Sequence, residues 1–350
     1  MPIPISAPKE EIGIMGKSDT YNKDILELPE YFADTVNNGL FCGETIVNPD
    51  ELKELDPTEL SIVEDRVRRI VTLQKHRDVL KQATIRRDNK AIYVIMGIEN
   101  QTSVHYAMPV RNCLYDAMRY AKQVEKTVAV HRKERADNPA SKTGVSAAEF
   151  LSGWEKTDTL LPIITLTVYY GANDWDGPVS IHEMFDDNVD DRLLQYIPDY
   201  KINLLQPSRI TDFGHYVTDI GKLFEIISVS EKANGIKELL QAEPERFKNV
   251  DNRIIRAINH YTRTEFKVDE EKEATDMCYA MQTSLDEARA EGIEQGVELG
   301  TERGLKQGLF ALVNLLKPTL TSAEEIRQAI ITQPGYEMVT LEDVINCMNK

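Results

Sequence analysis

Cysteine is scarce. The four residues Cys42, Cys113, Cys278 and Cys347 stand far apart with no CxxC pair, so neither a zinc site nor a disulfide framework is signalled, and a reducing compartment fits. Nowhere do about 20 apolar residues follow one another, so no membrane-spanning helix is expected. Met1 to Thr20 holds Pro2, Pro4, Lys9, Glu10 and Glu11 but no apolar stretch ending in a small-residue cleavage site, and a cytoplasmic location is the expectation. No GxxxxGK[ST], GxSxG or GxGxxG motif occurs, which removes the nucleotide-driven and serine-hydrolase classes. The six histidines, His76, His105, His131, His182, His215 and His260, show neither HxH nor HxxxH spacing, so none is singled out as a metal ligand.

Positive charge is also short, 41 Lys and Arg against 58 Asp and Glu for a net charge of -17. That balance argues at first against nucleic acid, because phosphate binding depends on cations displacing counterions. The distribution matters more than the sum. Between Ser61 and Asn138 there are 16 Lys and Arg against 9 Asp and Glu, a local surplus of +7 that leaves -24 for the rest.

The pattern predicts an α/β core of nuclease size followed by a helical extension. Residues 1 to 24 read as a lead. Ile25 to Asn37 has helical spacing, with Leu28, Tyr31, Phe32 and Val36 on one face. Thr45 to Asp56 suits a turn and a short helix, and Leu60 to Leu73 a strand. Asp78 to Ile85, Ala91 to Ile98 (AIYVIMGI) and Leu161 to Tyr170 (LPIITLTVYY) read as strands, the last two apolar on both faces and therefore central. Pro109 to Arg135 carries Val110, Leu114, Met118 and Ala121 at helical spacing. A strand, helix and strand in that order predict a crossover joining parallel strands.

After Ser230 strand signals give way to polar helices. Residues 25–265 are taken as the core, 266–316 as a linker or association helix, and 317–350 as a small helical segment. Gly292, Gly296, Gly300, Gly304 and Gly308 recur every four residues, at a cost of about 1 kcal/mol each in a helix. Such a row forms a ridge that would let a second helix approach closely. A homodimer through it, or a flexible acidic linker, both fit.

Hydrolysing a phosphodiester at neutral pH calls for a divalent cation held by hard oxygen donors. Asp78 opens one candidate strand, and Glu99 closes the next. If the two pair as a hairpin, both carboxylates reach the same end of the sheet. Glu99 and Gln101 share a face, while Asn100 points away and offers its backbone carbonyl. Taken as spacing alone, the same residues are better read as a strand-end carboxylate paired to Arg77 and an exposed strand terminus.

The order of several motifs goes further. Asp78, then YVIMGIENQT with Glu99 and Gln101, then MPVRNCLYDAMRY with Arg111 and Tyr115, then LPIITLTVYYG and Trp175 resembles the Rpn family of recombination-promoting nucleases and transposase-like proteins in the PD-(D/E)XK superfamily. The similarity runs from about Tyr31 to Leu205, and the glycine repeat beyond is typical of such proteins.

The resemblance implies a restriction-endonuclease-like core with a mixed sheet flanked by helices, Mg²⁺- or Mn²⁺-dependent DNA cleavage, and a link to mobile elements or phage defence. By position it makes Asp78, Glu99 and Gln101 catalytic, with Asp78, Glu99 and the Asn100 carbonyl toward the metal. Arg111, Tyr115, Lys75 and Lys81 become candidate DNA contacts, and Asp34 or Glu44 a first-helix acid. Gln101 stands where the superfamily usually has Lys. An ammonium stabilises forming hydroxide and charge at phosphorus, whereas an amide only orients water. Slow cleavage, or a binding module without cleavage, is the consequence to test, with Lys75, Lys81 and Lys90 as candidates to replace the charge. No DDE-type triad of acids is recognisable, so transposition itself is not expected.

Overall fold

The computed structural model describes residues 23–349 apart from 65–69, 77, 88–89, 139–144, 172 and 321; the side chains of 58–77 and 87–90 also lie outside what it describes. The chain divides into two compact units at Ala280/Met281.

In the first unit, helix α1 (Pro29–Phe41) starts with proline at the position that needs no N–H. Strands β1 (Leu52–Glu54), β2 (Thr58–Glu64), β3 (Ile70–His76), β4 (Val79–Arg87) and β5 (Lys90–Gln101) follow, then the long helix α2 (Met108–Asp137), α3 (Ala147–Ser152) and β6 (Ile163–Tyr169). Further on lie α4 (Asp191–Leu194), β7 (Asn203–Leu205), α5 (Ile220–Val229), α6 (Gly235–Ala242), β8 (Val250–Asp251), α7 (Asn252–Thr262) and β9 (Ala274–Thr275). The main sheet has the order β1-β4-β5-β6-β7. β1, β4 and β5 pair antiparallel, while β5, β6 and β7 run parallel. It is a mixed sheet, and α2 is the crossover that makes β5 and β6 parallel.

Period-two alternation sends side chains to two covered faces. Lys81, Met96, Ile98, Asn100 and Leu166 share one face, against α1 and α5. Leu80, Gln82, Gly97, Glu99 and Thr167 share the other, under α2. The buried run from Val94 to Asn100 explains why this strand reads as continuously apolar.

Two local expectations change. Thr45 to Asp56 forms a three-residue 3₁₀ turn, Pro49–Glu51, whose Asn48 side chain accepts from Asp50 N. The chain then becomes β1, because Leu52 to Glu54 finds the open edge of β4. Leu60 to Leu73 is two antiparallel strands, β2 and β3, with Ser61 opposite Leu73.

The first unit continues beyond residue 265 because β8 pairs with β9 and Met277 N donates to Phe247 O. The second unit is helical. Helix α8 (Met277–Leu316) enters it and contains all five periodic glycines. Helices α9 (Ala323–Ile330) and α10 (Leu341–Met348) open on capping boxes at Ser322 and Thr340. Leu309, Val313, Ile326, Ile330 and Val344 form its core, and Gly308 leaves room for the Tyr336 hydroxyl. No helix among the described residues is long and apolar enough to cross a membrane.

Candidate active site

The site is built where β4 begins and β5 ends. Val79 pairs with Ile98, so Asp78, one residue before the ladder, stands opposite Glu99. The Asp78 carboxylate accepts the Asn100 N–H, Oδ2 lying 2.6 Å from the nitrogen. A charged acceptor on a backbone N–H is among the stronger hydrogen bonds. The bond fixes Asp78 at the mouth of the hairpin beside the fully buried Glu99.

Helix α2 brings the cation. Arg111 Nη2 donates to Glu99 Oε2 at 3.2 Å, and its Nε donates to the Tyr115 hydroxyl at 3.1 Å. The guanidinium also lies 5.6 Å from the Tyr115 ring centre. Polar rungs set the height of α2 over the sheet. Asn112 donates to Thr167 Oγ1 at 2.9 Å, and Asp116 accepts from Thr165 Oγ1 at 2.8 Å and from the Tyr200 hydroxyl at 2.5 Å. The threonines of LPIITLTVYY are thus positioning groups on an otherwise apolar strand.

The electrostatics follow from this packing. Burial by itself would lower the Arg111 pKa, but Glu99, with Tyr115 and Asp78 nearby, more than offsets it and the net shift is upward. Burial, and then Glu99, pushes the Tyr115 hydroxyl up, which keeps it neutral.

Gln101 is the last residue of β5 and half-buried, on the Glu99 face. The Asn100 side chain turns to the other face and accepts from the Tyr170 hydroxyl at 3.1 Å, so only its main chain is directed toward the site. Lys75 lies on β3 and Lys90 opens β5, but their side chains, like that of His76, fall outside the described residues, as does Arg77. His105 is exposed in the turn before α2.

The expected DNA contact at Lys81 is corrected. Its side chain is on the face opposite Glu99, 1% exposed, where Nζ donates to the Glu27 carbonyl at 2.7 Å and lies 3.4 Å from Glu54 Oε1. A buried ammonium held by such partners is not offered to a phosphate, although Lys81 lines the same small cavity as Asp78.

The first-helix acids are also accounted for differently. Asp34 is buried and accepts from Thr218 N at 2.7 Å, Thr218 Oγ1 at 2.6 Å, Val217 N at 3.1 Å and Asn38 Nδ2 at 2.9 Å. It anchors the turn before α5. Glu44 is exposed on the loop after α1. Two acids that spacing did not single out, Glu27 and Glu54, line a cavity of ≈ 140 Å³ with Asp78. Only the tertiary approach of β1 and the lead into α1 to β4 could reveal them.

Among the described residues no group of three or more His, Cys, Asp or Glu is gathered as a metal site. Asp78 and Glu99 still suit Mg²⁺, which commonly takes one or two carboxylates and completes its shell with water and phosphate oxygens. The strand carbonyl at Asn100 adds a hard oxygen donor of the same kind.

A hairpin, a crossover helix and a parallel strand make a mixed α/β core with two carboxylates at one end of its sheet. The chain belongs to the family described as "putative transposase, YhgA-like", whose pattern matches residues 17–227, within the Rpn/PD-(D/E)XK nuclease-like group. No curated protein and no solved structure matches it.

Proposed function

We propose that this chain is a divalent-metal-dependent DNA endonuclease that hydrolyses phosphodiester bonds in the cytoplasm and serves mobile elements, recombination or phage defence. The observation that carries this reading is the buried Glu99 beside Asp78, with Arg111 held against it from α2. Family membership supports the coarser nuclease or transposase-like role.

Asp78, Glu99 and the Asn100 carbonyl would hold Mg²⁺ or Mn²⁺, which would supply polarisation of the phosphate and a water of lowered pKa. Gln101, half-buried on the Glu99 face, would offer its side-chain amide as a hydrogen-bonding group for the attacking water. Arg111, partly exposed while Glu99 is not, neutralises the carboxylate and donates to a phosphate oxygen. Tyr115 fixes the guanidinium plane, which suits the forked recognition of phosphate by arginine. An amide in place of an ammonium stabilises less charge at phosphorus, so turnover is slow.

The test is supercoiled plasmid with the purified protein in Mg²⁺, Mn²⁺, Ca²⁺ or EDTA, beside Glu99→Ala. Nicking or linearisation that needs metal and is lost in the variant is expected. Intact plasmid with folded protein would sink the proposal and favour a second reading, a DNA-binding or protein-interaction module on the same fold. Gln101 is the feature that favours that alternative.

The partner we assign to α8 is a second copy of the chain, lying antiparallel. Residues 282–298 carry five acids and one base, whereas 299–317 carry Arg303, Lys306 and Lys317 against Glu302. Antiparallel helices would set these halves against each other, with the exposed Ile293 and Val297 beside the glycine row.

A further inference from the structure

A cavity of ≈ 650 Å³ lies between the second half of α2 and the far end of the sheet. Its cationic lining is Arg119, Lys122 and Lys126, against one carboxylate among the described residues, Asp56. In a chain of net charge -17 such a concentration of positive charge is a local exception. Arg119 is 7% exposed, so one of the three cations is set into the wall while Lys122 and Lys126 stand at the solvent side.

The rest of the lining is apolar and amide, with the hydroxyls of Thr127 and Thr159. Ile95 and Leu161 supply flat apolar wall, and Gln82 a side-chain amide. The wall is fixed in place: Gln123 donates to Leu161 O at 3.2 Å and accepts from Leu161 N at 2.8 Å, and the Tyr120 hydroxyl accepts from Ile163 N at 3.1 Å. The size falls within the usual range of small-molecule sites, and a preformed cleft of apolar walls with a few polar groups is their usual character. A bare inorganic anion would use the cations and waste the apolar wall. An uncharged ring would do the reverse.

We infer that this cleft is a binding site for a nucleoside phosphate, the phosphate toward Arg119, Lys122 and Lys126 and the base against the apolar wall that includes Ile95 and Leu161. The ligand is either a free nucleotide or one unit of a DNA strand. The second source has geometric support. At 100° per residue, Arg111, Arg119, Lys122 and Lys126 fall within a sector of roughly 80° on one flank of α2, and Lys122 and Lys126 lie roughly 16 and 22 Å along the helix from Arg111. At about 3.4 Å per nucleotide, a strand following α2 from Arg111 reaches the cleft after roughly five to seven units.

The inference goes beyond the endonuclease reading and does not depend on cleavage. The full-length protein, in EDTA, would be titrated calorimetrically with each of the four deoxynucleoside monophosphates, with deoxyadenosine, with inorganic phosphate and with a single-stranded 12-mer. At least one monophosphate is expected to bind tenfold or more tightly than deoxyadenosine or phosphate. Lys122→Glu/Lys126→Glu should weaken it at least tenfold with an unchanged melting curve, and Asp56→Asn should tighten it. A 12-mer that binds at least tenfold more tightly than the monophosphate, and is weakened by both the lysine pair and Arg111→Ala, identifies the strand as the source. Equal affinities identify the free nucleotide. No binding of any monophosphate or of the 12-mer, or binding indifferent to the lysine pair, overturns the inference. Failure of plasmid nicking leaves these titrations unaffected, so the two readings fail separately.

Discussion

Arg111 reaches from α2 to place Nη2 3.2 Å from Oε2 of the wholly buried Glu99. The guanidinium neutralises a carboxylate that has no access to bulk water, and it holds a place beside the metal proposed there. Breaking a buried pair by removing one partner costs about 3–5 kcal/mol. Arg111→Met should therefore lower the melting temperature, and Glu99→Gln/Arg111→Met should recover most of the loss. If Mg²⁺ uses Glu99, millimolar Mg²⁺ will raise the melting temperature of Arg111→Met more than that of the native chain. An equal response in scanning fluorimetry would separate Glu99 from the metal.

Gln101→Lys tests the departure from the superfamily pattern. Residue 101 is half-buried on the Glu99 face at the end of β5, where a longer side chain would extend toward the proposed site. One well-placed charge or donor in such a site is worth about 10²–10³ in rate. Plasmid nicking by Gln101→Lys should rise at least tenfold, and that of Gln101→Ala should fall. No gain with Lys would mean that Gln101 points away from the reacting phosphate.

These two tests bear on residues that could be read from the sequence. Periodicity puts Asp78 and Glu99 on a hairpin and Arg111 on the crossover helix, but the resemblance to the Rpn family is what singled them out. Lys81 failed on a different ground. Its position on β4 was legible, but which face α1 would cover was not, and that choice sends the ammonium to Glu27 rather than to DNA. Asp34 shows the same limit, since its partners Val217 and Thr218 are more than 180 residues away in sequence. Short β1 was missed because three residues carry no period of their own and owe their form to the edge of β4.

Asp34 supplies a pH prediction. Burial raises its carboxyl pKa, and hydrogen bonds from Thr218, Val217 and Asn38 oppose that without cancelling it. A carboxyl whose folded pKa lies above its unfolded one binds its proton more tightly in the folded state. Its contribution to stability is therefore greatest in acid and declines as pH rises from the ordinary carboxylate range through the raised value. Asp34→Asn keeps an acceptor and removes the titration, so the melting temperature should vary less with pH across that acid window. Metal-dependent nicking per folded molecule should be unchanged at neutral pH. Loss of nicking with the fold intact would return Asp34 to the centre.

The glycine row of α8 allows folding and association to be separated by sign. A Cβ added at Gly292, Gly296, Gly300 or Gly304 meets nothing within 4 Å in the chain itself. Gly→Leu at an exposed helical position favours the helix by about 1 kcal/mol, so Gly296→Leu/Gly300→Leu should leave the single chain at least as stable. The same side chains would hold a second helix away from the ridge and weaken an antiparallel dimer. Sedimentation equilibrium should show a dimer for the native chain and mostly monomer for the double variant, with helical content by circular dichroism equal or higher. A dimer that survives the substitution would place the association elsewhere. A monomeric native chain would leave the glycine row without the partner assigned to it.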